Sequence, residues 1–397
     1  MRVLVLVNDF PTEDNSYTAN IFVKEQVRAL SKLVDDINIV VPIPHGLDRK
    51  RGVVYRDYQM ENGNVNVHFV RYFNPLFPVT YYKFREQWRW VESRVLKNFI
   101  NEKGIKFDII HAHYTWPSGA VAVKLREMFR VPVVITEHTS QTFMRFINTK
   151  DKLIISSWKI ADAIIRVRRG DINLLTNLGV ETPVYFIPNG FYEGKFKPIP
   201  TAFARSQLKL PLDKRIVLNV AQMYSDVKGH KILLKAFYKV ANSTDDTILV
   251  LVGDGKLRPD LEKLASRLGI SERVVFAGSK PHDEIPLWMN AADLFVLPSL
   301  SEGNPTVMFE ALGVGLPFVG TAVGGVPEII TSEDYGLLCP PADPECLAEK
   351  ILIGLEKEWD REKIRKYAEQ FTWENIAKQI LRVYENMLSP SRRRVKH

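Results

Sequence analysis

The 397-residue chain carries only two cysteines, Cys339 and Cys346. Two thiols cannot build a disulfide framework, and their spacing matches no zinc pattern, so a reducing, cytoplasmic setting is expected. No apolar stretch approaches the roughly 20 residues that span a bilayer. The short apolar run Met1–Val7 meets Asp9, Glu13 and Asp14, the pattern of a buried strand and not of a signal peptide. There is no low-complexity tract and no short-period repeat. A composition 46% hydrophobic and 25% charged excludes long disorder. Acidic residues are the minority: 54 Lys and Arg face 46 Asp and Glu, for a net charge of +8. A positive surface attracts anions such as nucleotides or acidic membranes. Apart from the tail Arg392-Arg393-Arg394-Val395-Lys396 the basic residues are dispersed, as on a solvated surface, and no nucleic-acid partner is expected.

A length about two and a half times that of a single-core domain predicts two domains. In the first half Arg2–Val7, Ile37–Val41, Val65–Val70, Phe107–His111, Pro132–Thr136 and Ala161–Arg166 read as strands, with helices at Ile21–Leu33 and Gly119–Phe129. In the second half the strands are Arg215–Val220, Thr247–Val252, Val274–Phe276, Leu294–Leu297 and Pro317–Gly320, and the helices Lys231–Val240, Leu257–Leu268 and Thr306–Leu312. Continuous apolar strands alternating with helices mean parallel sheets covered on both faces. The expected fold is α/β, two Rossmann-like doubly wound domains facing across a cleft, with ligands beyond the carboxyl ends of the strands. Pro188, Asn189, Gly190, Gly194, Pro198 and Pro200 punctuate the boundary. The N-terminal domain is expected over residues 1–188, joined by a C-terminal helix at about 373–397, and the second over 189–372.

The stretch Leu294–Gly325 is the most informative. A buried strand runs into Pro298-Ser299, a polar loop follows, and a helix starts near Pro305. Asn304 is expected as N-cap and Pro305 as first helical residue. The backbone N–H groups of Thr306 and Val307 would then sit unpaired at the positive end of a helix, a ready anion site. Glu302 in the loop and Glu310 one turn inside the helix flank it. Either Glu alone could be a solvent-facing acid; the context of Gly303, Gly315, Gly320 and Gly324-Gly325 makes the pair informative.

This stretch resembles the donor-site motif of the family-4 retaining glycosyltransferases, which have the GT-B fold, and the resemblance runs along nearly the whole chain. It implies that Glu302 contacts the transferred hexose and Glu310 the ribose hydroxyls, where a carboxylate accepts two strong hydrogen bonds. Asp226-Val227-Lys228-Gly229-His230 resembles the family's Lys-Gly motif, which assigns Lys228 to the donor pyrophosphate; alone, the pair would read as a surface turn. Leu251–Gly255, including Gly253, resembles the next strand end. Phe276–Lys280, including Ser279 and Lys280, resembles the strand end whose backbone reads the base, and Ile187–Gly190 the hinge. Ile110–His113 and Thr136–Thr139 resemble two cleft-lining loops, and the matching histidine, His138, would contact the donor sugar where it could otherwise simply pack at a strand end. His111 and His113 are expected to point one inward and one outward, in structural roles, with no third ligand to make a metal site.

Three positions depart from the pattern. Gln222 stands where the family has an Arg that grips the pyrophosphate, Tyr192 where it has Asp, and Ala19-Asn20 where it has Gly before the first helix. Loss of that Arg weakens leaving-group stabilisation. The acceptor side, with Ala19, Asn20 and His113, is in doubt more than the donor side. The chain contains no Asp-x-Asp triplet to hold a metal, and no cofactor or metal is expected. Lys228 and the Thr306/Val307 helix end would neutralise the departing phosphate, with front-face transfer and retention. Arg71–Ile100 interleaves Phe73, Phe77, Tyr81, Tyr82, Phe84, Trp88 and Trp90 with Lys83, Arg85 and Arg89. That pattern suits a membrane interface and a lipid-linked acceptor, and equally a core helix with a basic solvent face. The expected partners are thus a nucleotide sugar, a glycan or lipid-linked acceptor, and an anionic membrane surface. Two alternatives remain: an epimerase, which would turn over donor without acceptor, and a catalytically silent sugar-nucleotide or glycan-binding protein.

Overall fold

The computed structural model describes residues 1–45, 52–74 and 79–389, without the side chains of Asn62 and Thr80. Phe77 and the basic tail 392–396 lie outside the described residues. The chain divides into two compact units, one formed by Met1–Pro188 with the chain from Trp373 on, the other by Asn189–Thr372.

The first unit is built on β1 (Arg2–Leu6), β2 (Asp36–Pro44), β3 (Tyr58–Met60), β4 (Val65–Tyr72), β5 (Ile109–His113), β6 (Val133–Glu137), β7 (Ala163–Arg166) and β8 (Val184–Phe186). They form one sheet in the order β3-β4-β2-β1-β5-β6-β7-β8, parallel except for the antiparallel edge pair β3–β4. Leu4 and Leu6 of β1 share one buried layer with Ile110 and Ala112 of β5 and with Val121 and Leu125 of the helix Ala120–Phe129. Period-two alternation inside buried strands fills both faces of the sheet. On one flank the C-terminal helix Trp373–Leu388 buries Trp373, Ile376, Ala377, Ile380, Val383, Tyr384 and Met387, a stripe at helical spacing, and packs on the helix Ile21–Leu30.

The aromatic-basic segment resolves into the helix Arg85–Glu102, which buries Trp88, Arg89, Glu92, Ser93, Leu96 and Ile100 and packs on Ala120–Phe129. Phe73, Tyr82, Phe84 and Trp90 stay exposed, with Trp90 at 53%. The Tyr72 hydroxyl donates to Glu92 Oε2 at 2.6 Å, and Glu92 is 1% exposed. Burial pushes the Glu92 carboxyl up to about 7.

The second unit holds β9 (Arg215–Val220), β10 (Thr247–Val252), β11 (Val274–Gly278), β12 (Leu294–Leu297), β13 (Phe318–Thr321) and β14 (Gly336–Cys339), all parallel, in the order β11-β10-β9-β12-β13-β14. Phe295 and Leu297 of β12 enter the layer on one face, Leu294 and Val296 the layer on the other. The strand order reverses at β9/β12 here and at β1/β5 in the first unit. In open parallel sheets the loops at the carboxyl ends of such a pair carry the ligand site.

Candidate active site

At the switch point of the second unit, two loops meet. The first follows β9 and runs from Ala221 to Gly229; the second follows β12 and runs from Pro298 to Pro305. Their backbones touch: Leu300 N donates to Val227 O at 2.7 Å. Gly229 has φ +70°, and a Cβ there would lie 1.9 Å from Pro298 O, so only glycine permits this approach. Gly324, at φ +59°, makes the same allowance behind the second loop, where a Cβ would lie 2.0 Å from Glu302 O. Gly325 N donates to Gly303 O at 2.8 Å and Thr321 Oγ1 to Ser299 O at 2.5 Å.

This backbone brings two of the expected residues together. Lys228 Nζ donates to Glu302 Oε1 at 2.8 Å, and Ser299 Oγ donates to the same oxygen at 2.6 Å. Glu302 is 8% exposed, so its charge is held by the lysine and hydroxyl more than by water. The helix that follows is Thr306–Gly313, with Pro305 in the cap position at φ −70°, ψ 119°. Two expectations are corrected here. Pro305 precedes the first helical turn instead of opening it, and Asn304 is no N-cap. Asn304 Oδ1 accepts from Asn189 N at 2.8 Å and its carbonyl from Asn189 Nδ2 at 2.7 Å, so its side chain ties the loop to the segment where the unit begins. Thr306 and Val307 do open the helix, where N–H groups have no intrahelical acceptor.

Glu310, one turn on and also 8% exposed, meets a residue that the sequence did not single out. His282 Nε2 lies 2.8 Å from Glu310 Oε1, and Lys195 Nζ lies 3.1 Å from His282 Nδ1. A lysine only donates, so Nδ1 accepts and Nε2 carries the proton given to Glu310. Glu310 is thereby oriented while keeping lone pairs for further donors. The signal available in the sequence was position alone: His282 follows β11 in a loop at the carboxyl edge of the sheet.

The remaining positions expected from the sequence to bind the donor are more dispersed. Gly253 N donates to Gly278 O at 2.9 Å, joining the ends of β10 and β11. Gln222 is exposed directly after β9, Ser279 is exposed after β11, and Lys280 Nζ lies 5.4 Å from the centre of the Trp288 ring. Among the described residues, none of these three is hydrogen-bonded or ion-paired to Glu302 or Glu310.

In the first unit, β5 runs two residues beyond the expected His111 and includes both histidines. His111 and His113 do not point opposite ways. Side chains two apart on a strand share a face, and these rings lie 4.4 Å apart, both buried. His111 is held by the Tyr384 hydroxyl at Nδ1 (2.6 Å) and by Thr136 Oγ1 at Nε2 (2.7 Å). Burial pushes it down to about 3. Burial, with the neighbouring His111 and His138, holds His113 well below the usual imidazole range. His113 Nδ1 and His138 Nε2 are 2.9 Å apart, with rings stacked at 5.2 Å. Phe22 and Tyr114 meet the His138 ring at 4.9 and 5.2 Å.

The departure at Asn20 has a structural answer. Asn20 sits at φ 59°, ψ 33°, the left-handed conformation in which glycine is at ease and asparagine is the next best residue. Its Nδ2 donates to Asp9 O at 2.9 Å and its Oδ1 accepts from the Tyr114 hydroxyl at 2.5 Å. Ala19 precedes it at the helix start. Asn20, Tyr114, His138 and His113 thus form one connected cluster.

Comparison with known proteins agrees with this architecture. Residues 19–192 match the Glycosyltransferase Family 4 model and residues 201–371 the Glycosyl transferases group 1 model. The chain is 30% identical over 315 residues to D-inositol 3-phosphate glycosyltransferase of Corynebacterium urealyticum, covering 73% of this chain and 74% of that one. It is 29% identical over 294 residues to N-acetyl-alpha-D-glucosaminyl L-malate synthase of Bacillus anthracis, covering 71% and 75%. Among solved structures, sucrose-phosphate synthase from Thermosynechococcus elongatus aligns with a TM-score of 0.79 at 25% identity over 98% of this chain and 99% of that one. Anabaena HepE, solved with UDP, aligns with a TM-score of 0.74 at 19% identity over 97% and 100%. With two Rossmann-like units and a carboxylate pair at the switch point of the second, the chain belongs to the group 1 glycosyl transferases of the GT-B type and is a glycosyltransferase.

Proposed function

We propose that the chain is a retaining hexosyltransferase that uses a nucleotide-diphosphate sugar without a metal ion. The observation that carries this reading is the Lys228–Glu302 pair beside the helix start at Thr306, with Glu310 one turn further in. HepE has been solved with UDP-glucose as well as with UDP, in keeping with a nucleotide-sugar donor. In this reading Lys228 and the N–H groups of Thr306 and Val307 face the charge that grows on the β-phosphate as the bond from the sugar's anomeric carbon to the phosphate oxygen breaks. Glu302 contacts the hexose and Glu310 the ribose diol, and His138 is assigned to the transferred sugar. The acceptor oxygen forms its bond to the anomeric carbon on the face the phosphate leaves, and its proton passes to a β-phosphate oxygen. Configuration is retained with no glycosyl-enzyme.

Thermal stabilisation by UDP-, GDP- and ADP-sugars tests the donor assignment. At 100 times its dissociation constant the correct donor stabilises by about 2.7 kcal/mol, a shift of several degrees. Glu310→Ala is expected to lose that shift. A shift that survives the substitution would remove Glu310 from the site.

The acceptor is proposed to be a glycan or lipid-linked sugar met at a membrane surface. Exposed Phe73, Tyr82, Phe84 and Trp90 support it, with Arg94 lying 4.1 Å over the Trp90 ring. No helix among the described residues is long and apolar enough to cross a membrane, so attachment would be peripheral. Vesicles containing anionic lipid are expected to sediment the protein at low salt and release it at high salt. Equal binding to neutral vesicles, or none to either, would count against this surface.

A further inference from the structure

The first unit contains a buried charge that none of the steps above uses. Arg166 ends β7, is fully buried, and is the register partner of Glu137 at the end of β6. Its guanidinium spans three acceptors. Nη1 donates to Glu137 O, and Nη2 donates to Thr139 O at 3.2 Å and to the Asp171 carboxylate. The guanidinium carbon also lies 4.0 Å from the centre of the Phe143 ring. The two carbonyls it holds are those of the residues immediately before and after His138.

The same three residues are gripped from the other side. The Glu137 carboxylate, itself 1% exposed, accepts from Thr139 N at 2.8 Å and Thr139 Oγ1 at 2.7 Å through Oε1. Through Oε2 it accepts from Thr115 N at 2.9 Å, in the loop that leaves β5 beyond His113. One residue further along, Arg168 Nη1 donates to Ser140 Oγ at 3.1 Å. Donors therefore hold the carbonyls of residues 137 and 139, and an acceptor holds the amide of residue 139, so the backbone is tied on both sides of His138. A buried ion pair is a poor way to gain stability, since an apolar residue of similar size does as well or better. Its planar fork does offer several donors at fixed angles, which a lysine cannot reproduce.

We propose that Arg166 is a positioning residue for His138: it sets the imidazole against His113 by clamping the backbone on both sides, without touching substrate. The proposal rests on the reading that His138 contacts the transferred sugar. Displacement of a reacting-site group by about 1 Å can cost about 100-fold in rate.

The test is a double-mutant cycle of Arg166→Lys with His138→Ala, read on kcat, on donor KM, and on the ratio of nucleotide-sugar to free-nucleotide affinity. Arg166→Lys alone is expected to lower kcat by about 10- to 100-fold with donor KM within about threefold. It should also shift the His138 and His113 imidazole resonances. In the His138→Ala background it should change nothing further, because its effect passes through that side chain. Asp171→Asn, which loosens the guanidinium but leaves it in place, is expected to act in the same direction with a smaller factor. It serves in place of Arg166→Lys if the lysine variant does not fold. Equal losses in both backgrounds would show a general structural role and overturn the proposal. So would unchanged kcat in both Arg166→Lys and Asp171→Asn while His138→Ala is impaired. Full activity of His138→Ala would instead overturn the underlying assignment of His138.

Discussion

Lys228→Ala is expected to lower kcat by about two to three orders of magnitude, the loss seen when a preorganised donor to a developing negative charge is removed. In the proposed reaction the lysine is the only side-chain cation assigned to the leaving phosphate, because Gln222 stands where a second cation would help. The substitution acts on the resting protein as well. Lys228 Nζ lies 2.8 Å from Glu302, which is 8% exposed, so truncation leaves a buried carboxylate with Ser299 as its remaining partner. Removing one member of such a pair costs more than the pair was worth. Lys228→Ala should therefore also lower the urea midpoint, and adding Glu302→Gln should recover that midpoint without recovering turnover. Steady-state kinetics and urea titration on the three variants separate the two effects. A kcat within threefold of wild type would remove Lys228 from leaving-group stabilisation.

The second large effect concerns pH and stability. Burial raises the Glu92 carboxyl from the usual 4.5 to about 7, so between those values the unfolded chain has released the proton that the folded chain keeps. The folded state then binds more protons, and stability falls as pH rises across that window. A displacement of this size corresponds to about 3 kcal/mol, complete above about pH 7. Glu92→Gln carries no ionisable proton and still offers the Tyr72 hydroxyl an acceptor. Relative to wild type, it is expected to gain about 3 kcal/mol between pH 4.5 and 7.5. Urea unfolding of both proteins at intervals across that range checks it; a constant difference would mean that Glu92 ionises alike in both states.

The sheets were legible because long apolar runs flanked by turn residues leave few alternatives. β9, β10 and β12 lie over the expected residues, and the helix beyond β12 begins within a residue of its expected place. Three short strands escaped notice. β3 and β8 have three residues each and β14 four, too few to show a period, and all three lie at sheet edges. Glu302 and Lys228 could be named from motif and are joined by an ion pair, but their contact depends on Gly229, 69 residues upstream of Pro298, fitting under a carbonyl. Asn304 was misread because a capping residue and a loop tie have the same composition, and only Asn189 distinguishes them. The opposed orientation given to His111 and His113 was an error in applying the strand period. Asn20 looked like a loss against the glycine of the family, yet it holds the left-handed backbone that glycine adopts most easily. His282 and Arg166 had no motif to announce them; both are identified by what they hold.

The helix Trp373–Leu388 belongs to the first unit, and its Tyr384 hydroxyl completes the hydrogen bonding of His111. That has a consequence for the order of events at the ribosome. Residues 189–372 form an uninterrupted segment that can close as soon as it emerges, whereas the sheet begun by Arg2–Leu6 waits for the helix Trp373–Leu388. At about 5–20 residues per second the wait lasts about ten to forty seconds. Through that interval the surface that will receive Ile376, Ile380 and Tyr384 is uncovered. Of the two units, the one begun earlier is completed later.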